Sequence, residues 1–265
     1  MLLRYTETGF LVILPGDDPR EAVDAMLATG YSEEFCVSPS FEPGFIAGLM
    51  EAGFLVMSAR IGGEEGGGED SETGESQEGG GGEPLFLPLP KLHLSRSALF
   101  FDRLRVKKSI RRLLGRYELR PDSDFDLILD RCVETHGDGW LTPPLVGAIR
   151  AIRRGGRPRG GAYPMSLALY RGEKLVAGEF GVKAGRVYTS YSGYYSESGS
   201  GTAQIILAAR YLQEHGFAFL DLGMPLGYKN DLGAVDISPE EFVRLFRLAQ
   251  RPQDPGHAAP ARAEP

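Results

Sequence analysis

Cysteine is nearly absent from this 265-residue chain. Only Cys36 and Cys132 occur, with no close pair, so neither a disulfide framework nor a thiolate metal site is indicated. The four histidines (His93, His136, His215 and His257) show no ligand spacing, and the sequence implies no metal and no cofactor. Nor does any apolar run approach the roughly 18 residues that span a bilayer, so no membrane partner is expected. The opening MLLRYTETGFLVILPGDD contains a short apolar stretch, but an acidic residue precedes it and no small-residue cleavage site follows. It reads as a pair of short strands, RYTE and FLVIL, and not as a signal peptide. A cytoplasmic protein is the plain expectation.

What is present is a soluble globular composition, 42% hydrophobic and 25% charged, long enough to bury a substantial core. The formal net charge of −7 is unevenly placed. Residues 62–83, GGEEGGGEDSETGESQEGGGGE, hold eight acidic side chains and no basic ones, so the rest of the chain stands at about +1. Its positive charge gathers at 103–120 and 150–159, as a local polyanion site requires.

Residues 1–61 read as α+β, with PREAVDAMLATG and PSFEPGFIAGLMEAG as helices and FLVMS (54–58) as a strand. The 62–83 segment has almost nothing apolar to bury and is expected to be a disordered insertion, as is the Pro/Ala-rich tail at 250–265. Residues 84–119 continue the first unit and carry the basic segment. From 120 the pattern changes. A helix at 123–136 has Ser123 as its expected N-cap and Phe125, Ile128, Leu129 and Cys132 as its apolar positions. A second helix at 142–154 has Thr142 as cap, Pro143 at its first position, and Val146, Ile149 and Ile152 on one face. Three strands follow (YPMSLALY, KLVAGEFGV and GRVYTSYSGYY) with Gly172 and Gly185 at the turns, then helix 202–215 and strand FAFLDL. That order is the order of a GNAT-like acyltransferase core at 120–249, preceded by a smaller N-terminal α+β domain.

Four sets of residues are candidates for chemistry. In VKKSIRRLL, helical spacing puts Lys107, Lys108, Arg111 and Arg112 on one face and Val106, Ile110, Leu113 and Leu114 on the other, a face suited to phosphates. Trp140, the only tryptophan, could stack on a base or wall an apolar side chain. The run YTSYSGYYS (188–196) alternates so that Tyr191 and Tyr195 share one face and Tyr194 takes the other. Asp221 ends the strand FAFLDL, a common place for a functional carboxylate. A weaker signal, SESGSGT (196–202), resembles the glycine turn that holds a coenzyme A pyrophosphate at a helix N-terminus.

The segments SALFFDRLRVKKSIRRLL (97–114), DGWLTPPLVGAIRAI (138–152), GEFGVKAGRVYTSYSGYYS (178–196) and HGFAFLDLGMPLGYKNDLGAVDIS (215–238) resemble, in order and spacing, the leucyl/phenylalanyl-tRNA–protein transferases. The resemblance implies an aminoacyltransferase that moves leucine or phenylalanine from aminoacyl-tRNA to the N-terminus of an acceptor protein beginning with Arg or Lys, marking it for degradation, and working as a monomer. Residue by residue, it implies tRNA contacts at Lys107, Lys108, Ser109, Arg111 and Arg112. It places Trp140, Tyr194, Tyr195 and Gly223 at the substrate pocket, with Asp221 and Tyr191 at the reaction centre. Two departures accompany it. Tyr191 stands where the family has a glutamate, and Gly223 where it has a glutamine. A coenzyme A-dependent N-acyltransferase, or a non-catalytic relative that binds tRNA or protein N-termini, remains the alternative.

Overall fold

The computed structural model describes residues 3–61, 84–156 and 161–252. The acidic insertion expected at 62–83 and most of the tail expected at 250–265 lie outside the described residues.

Helix α1 (Pro19–Thr29) starts where the Asp18 carboxylate accepts the N–H of Arg20, and stops at Gly30, whose left-handed backbone lets its N–H reach back to the helix carbonyls. Helix α2 (Pro43–Ala52) is begun by the Glu42 carboxylate, which accepts from the N–H groups of Gly44 and Phe45. Strands β1 (Leu55–Ile61) and β2 (Leu85–Lys91) pair antiparallel in a small sheet. RYTE and FLVIL do not form the expected strands. They make isolated bridges, Tyr5 with Leu11 and Val12 with Val37. The turn at Thr6–Phe10 allows one bridge only, because the backbone of Leu11 and Ile13 bonds to Val37 instead.

The main sheet has seven strands: β3 (Arg96–Leu99), β4 (Glu118–Pro121), β5 (Tyr163–Arg171), β6 (Lys174–Ala184), β7 (Val187–Tyr195), β8 (Phe219–Asp221) and β9 (Val235–Ile237). Their spatial order is β4-β5-β6-β7-β8-β3-β9. Every pairing is antiparallel except β7 with β8. The expected three-strand meander, helix and returning strand are therefore present, and two strands from before residue 122 extend the same sheet. Helices α4 (Phe125–His136) and α5 (Pro143–Arg154) cover one face together with α1 and α2. They bury Ala168, Phe180 and Val182 with Phe125, Ile128 and Ile149. Helix α6 (Ser200–Glu214) covers the other, against Leu167, Leu169 and Tyr188. Alternation along β5 and β6 produces this two-sided burial.

Helix α4 is not capped by Ser123. Asp124 is the N-cap, in a left-handed conformation (φ 52°) that aspartate tolerates, and its carboxylate accepts from the Tyr170 hydroxyl at 2.7 Å. The Ser123 hydroxyl donates to the Arg120 carbonyl instead. Thr142 holds the expected cap position of α5, but its hydroxyl pairs with Ser58 at 2.8 Å, joining the helix to β1.

A bulge overturns the expected alternation of the tyrosines. Gly181 pairs with Ser190 and Phe180 with Ser192, so Tyr191 is the extra residue. Tyr191 stacks 5.9 Å from Phe180, and Tyr194 lies near Gly178 and Ile128, so both face α4. Tyr195 lies over Gly201 of α6 and is 69% exposed. Gly181 makes the bulge possible: a Cβ there would stand 2.6 Å from Tyr188 Cζ and closer still to the Thr189 carbonyl. Gly181→Ala is expected to destabilise the protein by about 3 kcal/mol or more, read as a fall in denaturation midpoint. A loss under about 1 kcal/mol would refute this account of the bulge.

Candidate functional site

The parallel strands β7 and β8 pair only from Val187–Phe219 to Thr189–Asp221. Beyond that point β7 runs on to Tyr195 beside β6, whereas the chain after Asp221 follows β3, with Leu222 N–H on the Ser97 carbonyl and Ser97 N–H on the Gly223 carbonyl. The sheet opens between them. At the carboxyl ends of parallel strands, such an opening is where α/β sheets place their ligands. Helix α7 (Gly227–Asp231) follows along the chain. From α7, Lys229 reaches back so that its buried ammonium donates to the Leu222 and Met224 carbonyls at 2.6 and 2.7 Å. That clamp curls the chain away from β7. Met224, Leu226, Tyr228 and Tyr195 form exposed apolar surface on these same segments.

At the root of the opening is a buried ion pair. Asp221 and Arg96 are both 0% exposed. Arg96 Nε and Nη2 donate to the two carboxylate oxygens at 2.9 and 2.6 Å. Thr189 Oγ1 and the Gly223 N–H complete the set at 2.8 and 3.0 Å. Burial opposes ionisation of Asp221, but the Arg96 charge and these hydrogen bonds outweigh it and hold the carboxyl below its ordinary value. The guanidinium also lies 4.1 Å from the Phe242 ring and reaches the Gly53 carbonyl. Asp221 thus acts on its neighbours: it orders Gly223, whose left-handed backbone (φ 71°) packs against Leu55. His93 lies beside Gly223. Burial first, then the Arg96 and Lys91 charges, push His93 down to about 3, so its ring is neutral.

Tyr191 is similarly engaged. Its hydroxyl accepts from the Val56 N–H at 3.1 Å and faces the Phe54 carbonyl, fixing β1 to the sheet, and burial pushes its ionisation well up. Tyr194 is half-buried on the same face, with its hydroxyl pushed up to about 12 by burial. Trp140 packs half-buried at the edge of that core, and its carbonyl accepts from Ser58.

The basic residues converge elsewhere. Helix α3 (Lys108–Leu114) presses Leu113 and Ile110 against Gly199, the residue preceding α6. Lys107 is not on the helix; it is the N-cap, and its ammonium pairs with Asp231 at 2.6 Å, both groups exposed. Lys108, Ser109, Arg111 and Arg112 are exposed, and among the described residues no acidic group pairs with the three cations. In the loop expected at 196–202, the Ser200 hydroxyl turns inward to the Glu197 carbonyl.

Sequence reasoning passed over Glu179, on β6. It is 5% exposed, and its Oε2 accepts from Ser190 Oγ at 2.9 Å. Desolvation pushes it up to about 7 against the opposing influence of Ser190, then Gln204, the charge of Lys229 and Tyr188; burial pulls Lys229 itself down to about 8. The only sequence signal was a charge within the strand GEFGV, where both faces are covered. Among the described residues no group of three or more His, Cys, Asp or Glu side chains could hold a metal, and no described helix is long and apolar enough to cross a membrane.

Residues 98–247 match the family described as leucyl/phenylalanyl-tRNA protein transferase. The chain belongs to that family. Its relatives named leucyl/phenylalanyl-tRNA–protein transferase include one from Pseudomonas putida, 32% identical over 56% of this chain and 65% of that protein, just under two thirds of its length. Another, from Rubrobacter xylanophilus, is 30% identical over 59% of this chain and 80% of that one. Among solved structures, FemX is 13% identical at a TM-score of 0.42, over 94% of this chain and 86% of that chain. Helix α3, the opening and Asp221 lie inside the matched stretch. Arg96 lies two residues before it.

The pair at the root of the opening is the test of this geometry. Arg96→Met leaves Asp221 buried without its cation and is expected to destabilise by about 3–5 kcal/mol. Because the folded carboxyl is held below its unfolded value, its contribution is present above about pH 4 and lost as pH falls further. Glu179 has the opposite sign: raised to about 7, it supports the fold fully below about pH 4.5 and less as pH rises towards 7. Denaturation from pH 4.5 to 7 should therefore show a falling component that Glu179→Gln removes.

Proposed function

We propose that the protein transfers leucine, phenylalanine or a related apolar amino acid from aminoacyl-tRNA to the N-terminal amine of an acceptor protein, on a GNAT-like acyltransferase core at 120–249 whose sheet β3 and β4 complete, with a smaller N-terminal α+β unit. The observation that carries this reading is the family match over 98–247, which spans the basic helix and the opening between β7 and β8. The tRNA acceptor end lies along α3, with Lys108, Arg111 and Arg112 on its phosphates and the Ser109 hydroxyl among them. Lys107 already faces Asp231 and contributes less. The charged 3′ terminus enters the opening. Tyr195, Met224 and Tyr228 receive the apolar amino-acid side chain, and Trp140 and Tyr194 support the opposite face.

Aminoacyl esters are reactive, so holding the amine and the ester carbonyl together supplies much of the rate. Asp221 serves that by fixing Gly223, and Tyr191 by fixing β1. Acceptors begin with Arg or Lys, and the transferred residue marks them for degradation.

The test is transfer of labelled leucine or phenylalanine from charged tRNA to peptides beginning with Arg or Lys. Transfer supports the reading. Its absence, under conditions where an established transferase works, overturns it. Replacing Arg111 and Arg112 together by Ala is expected to weaken tRNA binding roughly tenfold or more and to lower the salt slope by about one for each phosphate left without its cation. Unchanged binding would remove α3 from the interface.

A further inference from the structure

Glu179 is a buried carboxylate that the fold satisfies only in part. It sits in the middle of the sheet, opposite Gly193 on β7, and its Oε1 is buried without a hydrogen-bond partner among the described residues. A buried acceptor left unpartnered is destabilising by about 1–3 kcal/mol, so an apolar residue would serve the fold better. Groups from four elements surround it: Tyr188 and Ser190 on β7, Gln204 on α6, Lys229 and Tyr228 on α7, and Cys132 on α4. Tyr188 and Gln204 flank it without closing a well-formed hydrogen bond to Oε1. Lys229 is held by the Leu222 and Met224 carbonyls and makes no ion pair with it. The one firm bond is from Ser190, and Ser190 occupies a particular place. It is the first residue of β7 beyond the last pair with β8, beside the bulge, and half-buried.

We propose that Ser190 and Glu179 form the proton relay of the transfer reaction: Ser190 Oγ meets the attacking amine at the opening, and Glu179 acts through it. The proposal rests on the reading of function above. The neutral amine, its first proton already lost to water, attacks the ester carbonyl and forms the C–N bond. Its excess proton passes to Ser190 Oγ as the Ser190 hydroxyl proton passes to Glu179 Oε2. When the intermediate collapses, the bond from the carbonyl carbon to the ribose oxygen breaks. The proton then returns through Ser190 to that oxygen, which leaves as the free hydroxyl of the tRNA. Nothing else is consumed. Ser190 is the catalytic residue in this account, and Glu179 is a positioning residue that stores the proton.

The environment of Glu179 suits that task. Desolvation places its carboxyl at about 7, near the ordinary range of an α-amino group, where a proton moves in either direction with little driving force. A surface carboxylate would be too weak a base.

The experiment follows transfer from charged tRNA to peptide between pH 5.5 and 9 for the wild type, Glu179→Gln, Ser190→Ala and Ser190→Thr, with tRNA binding and thermal melting measured alongside. The expected result is a wild-type rate that rises through about pH 7. Ser190→Ala and Glu179→Gln should lose roughly 100-fold in rate and the limb near pH 7, with tRNA binding unchanged, and Ser190→Thr should restore both. If Glu179→Gln fails to fold, Ser190→Ala decides alone. Transfer by Ser190→Ala at the wild-type rate, with its limb intact, overturns the relay while leaving the proposed activity standing. A wild type that binds tRNA but transfers nothing overturns the activity, and the relay with it.

Discussion

The pairing of Arg96 with Asp221 is the constraint on which the rest of this architecture depends. Both groups are removed from water, which is strongly unfavourable for each alone and tolerable only with close, well-directed partners. The partners come from everywhere: β3 and β8 supply the charges, β7 supplies Thr189, the chain after β8 supplies the Gly223 N–H, and Phe242 and Gly53 bring in the C-terminal helix α8 (Pro239–Gln250) and the end of α2. An apolar pair of the same volume would hold these elements together equally well. What it would not do is fix the backbone of Gly223, because an Asp221 carboxylate oxygen accepts that N–H and an apolar side chain cannot. The ion pair therefore specifies a geometry, and the geometry is that of the opening.

From that point the separation of β7 and β8 follows by hydrogen-bond accounting. Leu222 and Gly223 bond to Ser97 of β3, and the Gly223 N–H is taken by the Asp221 carboxylate. Lys229 satisfies the Leu222 and Met224 carbonyls. The bulge at Tyr191 adds to this, since it turns Tyr191 and Tyr194 towards α4 and leaves Ser190 directed at Glu179. A gap in a sheet is stable only where the groups that would have closed it are occupied.

The order of elements from α4 to β8 was legible because periodicity and punctuation were strong, whereas β3 and β9 were not read as strands. Gly172 and Gly185 both adopt the left-handed backbone that the turns of the meander require, the apolar stripe of α4 buries as its spacing implies, and in α5 Ile149 and Ile152 bury while Leu145 is buried more deeply than the expected Val146. The faces of the tyrosines were not legible. Strict alternation assumes an unbroken ladder, and the bulge depends on Gly181 approaching the Thr189 carbonyl across the sheet. Ser123 was a reasonable cap, but a left-handed Asp124 bonded to Tyr170, 46 residues away in sequence, displaced it. Site residues suffered in the same way. Asp221 and Tyr191 were visible as polar residues at the right places, whereas their engagement by Arg96 and by the backbone of β1 is purely tertiary. Lys107 looked like one of four equivalent cations until Asp231 arrived beside it.

The two buried carboxylates show why environment decides role. Asp221 has a guanidinium on both oxygens, and so it is ionised and fixed; a group in that state can organise a site but has no capacity left for a proton. Glu179, on a strand two places away, has a single hydroxyl bonded to one oxygen, Tyr188 and Gln204 beside the other without a well-formed hydrogen bond, and a cation that is bonded elsewhere. Its charge is poorly compensated, and its ionisation moves to the neutral range. Residue type does not distinguish them, and neither does burial, which is nearly complete for both. The difference is the placement of two cations, Arg96 against the carboxylate and Lys229 against backbone carbonyls. That division leaves one acid as scaffold and the other able to change its protonation state at the pH where an N-terminal amine does.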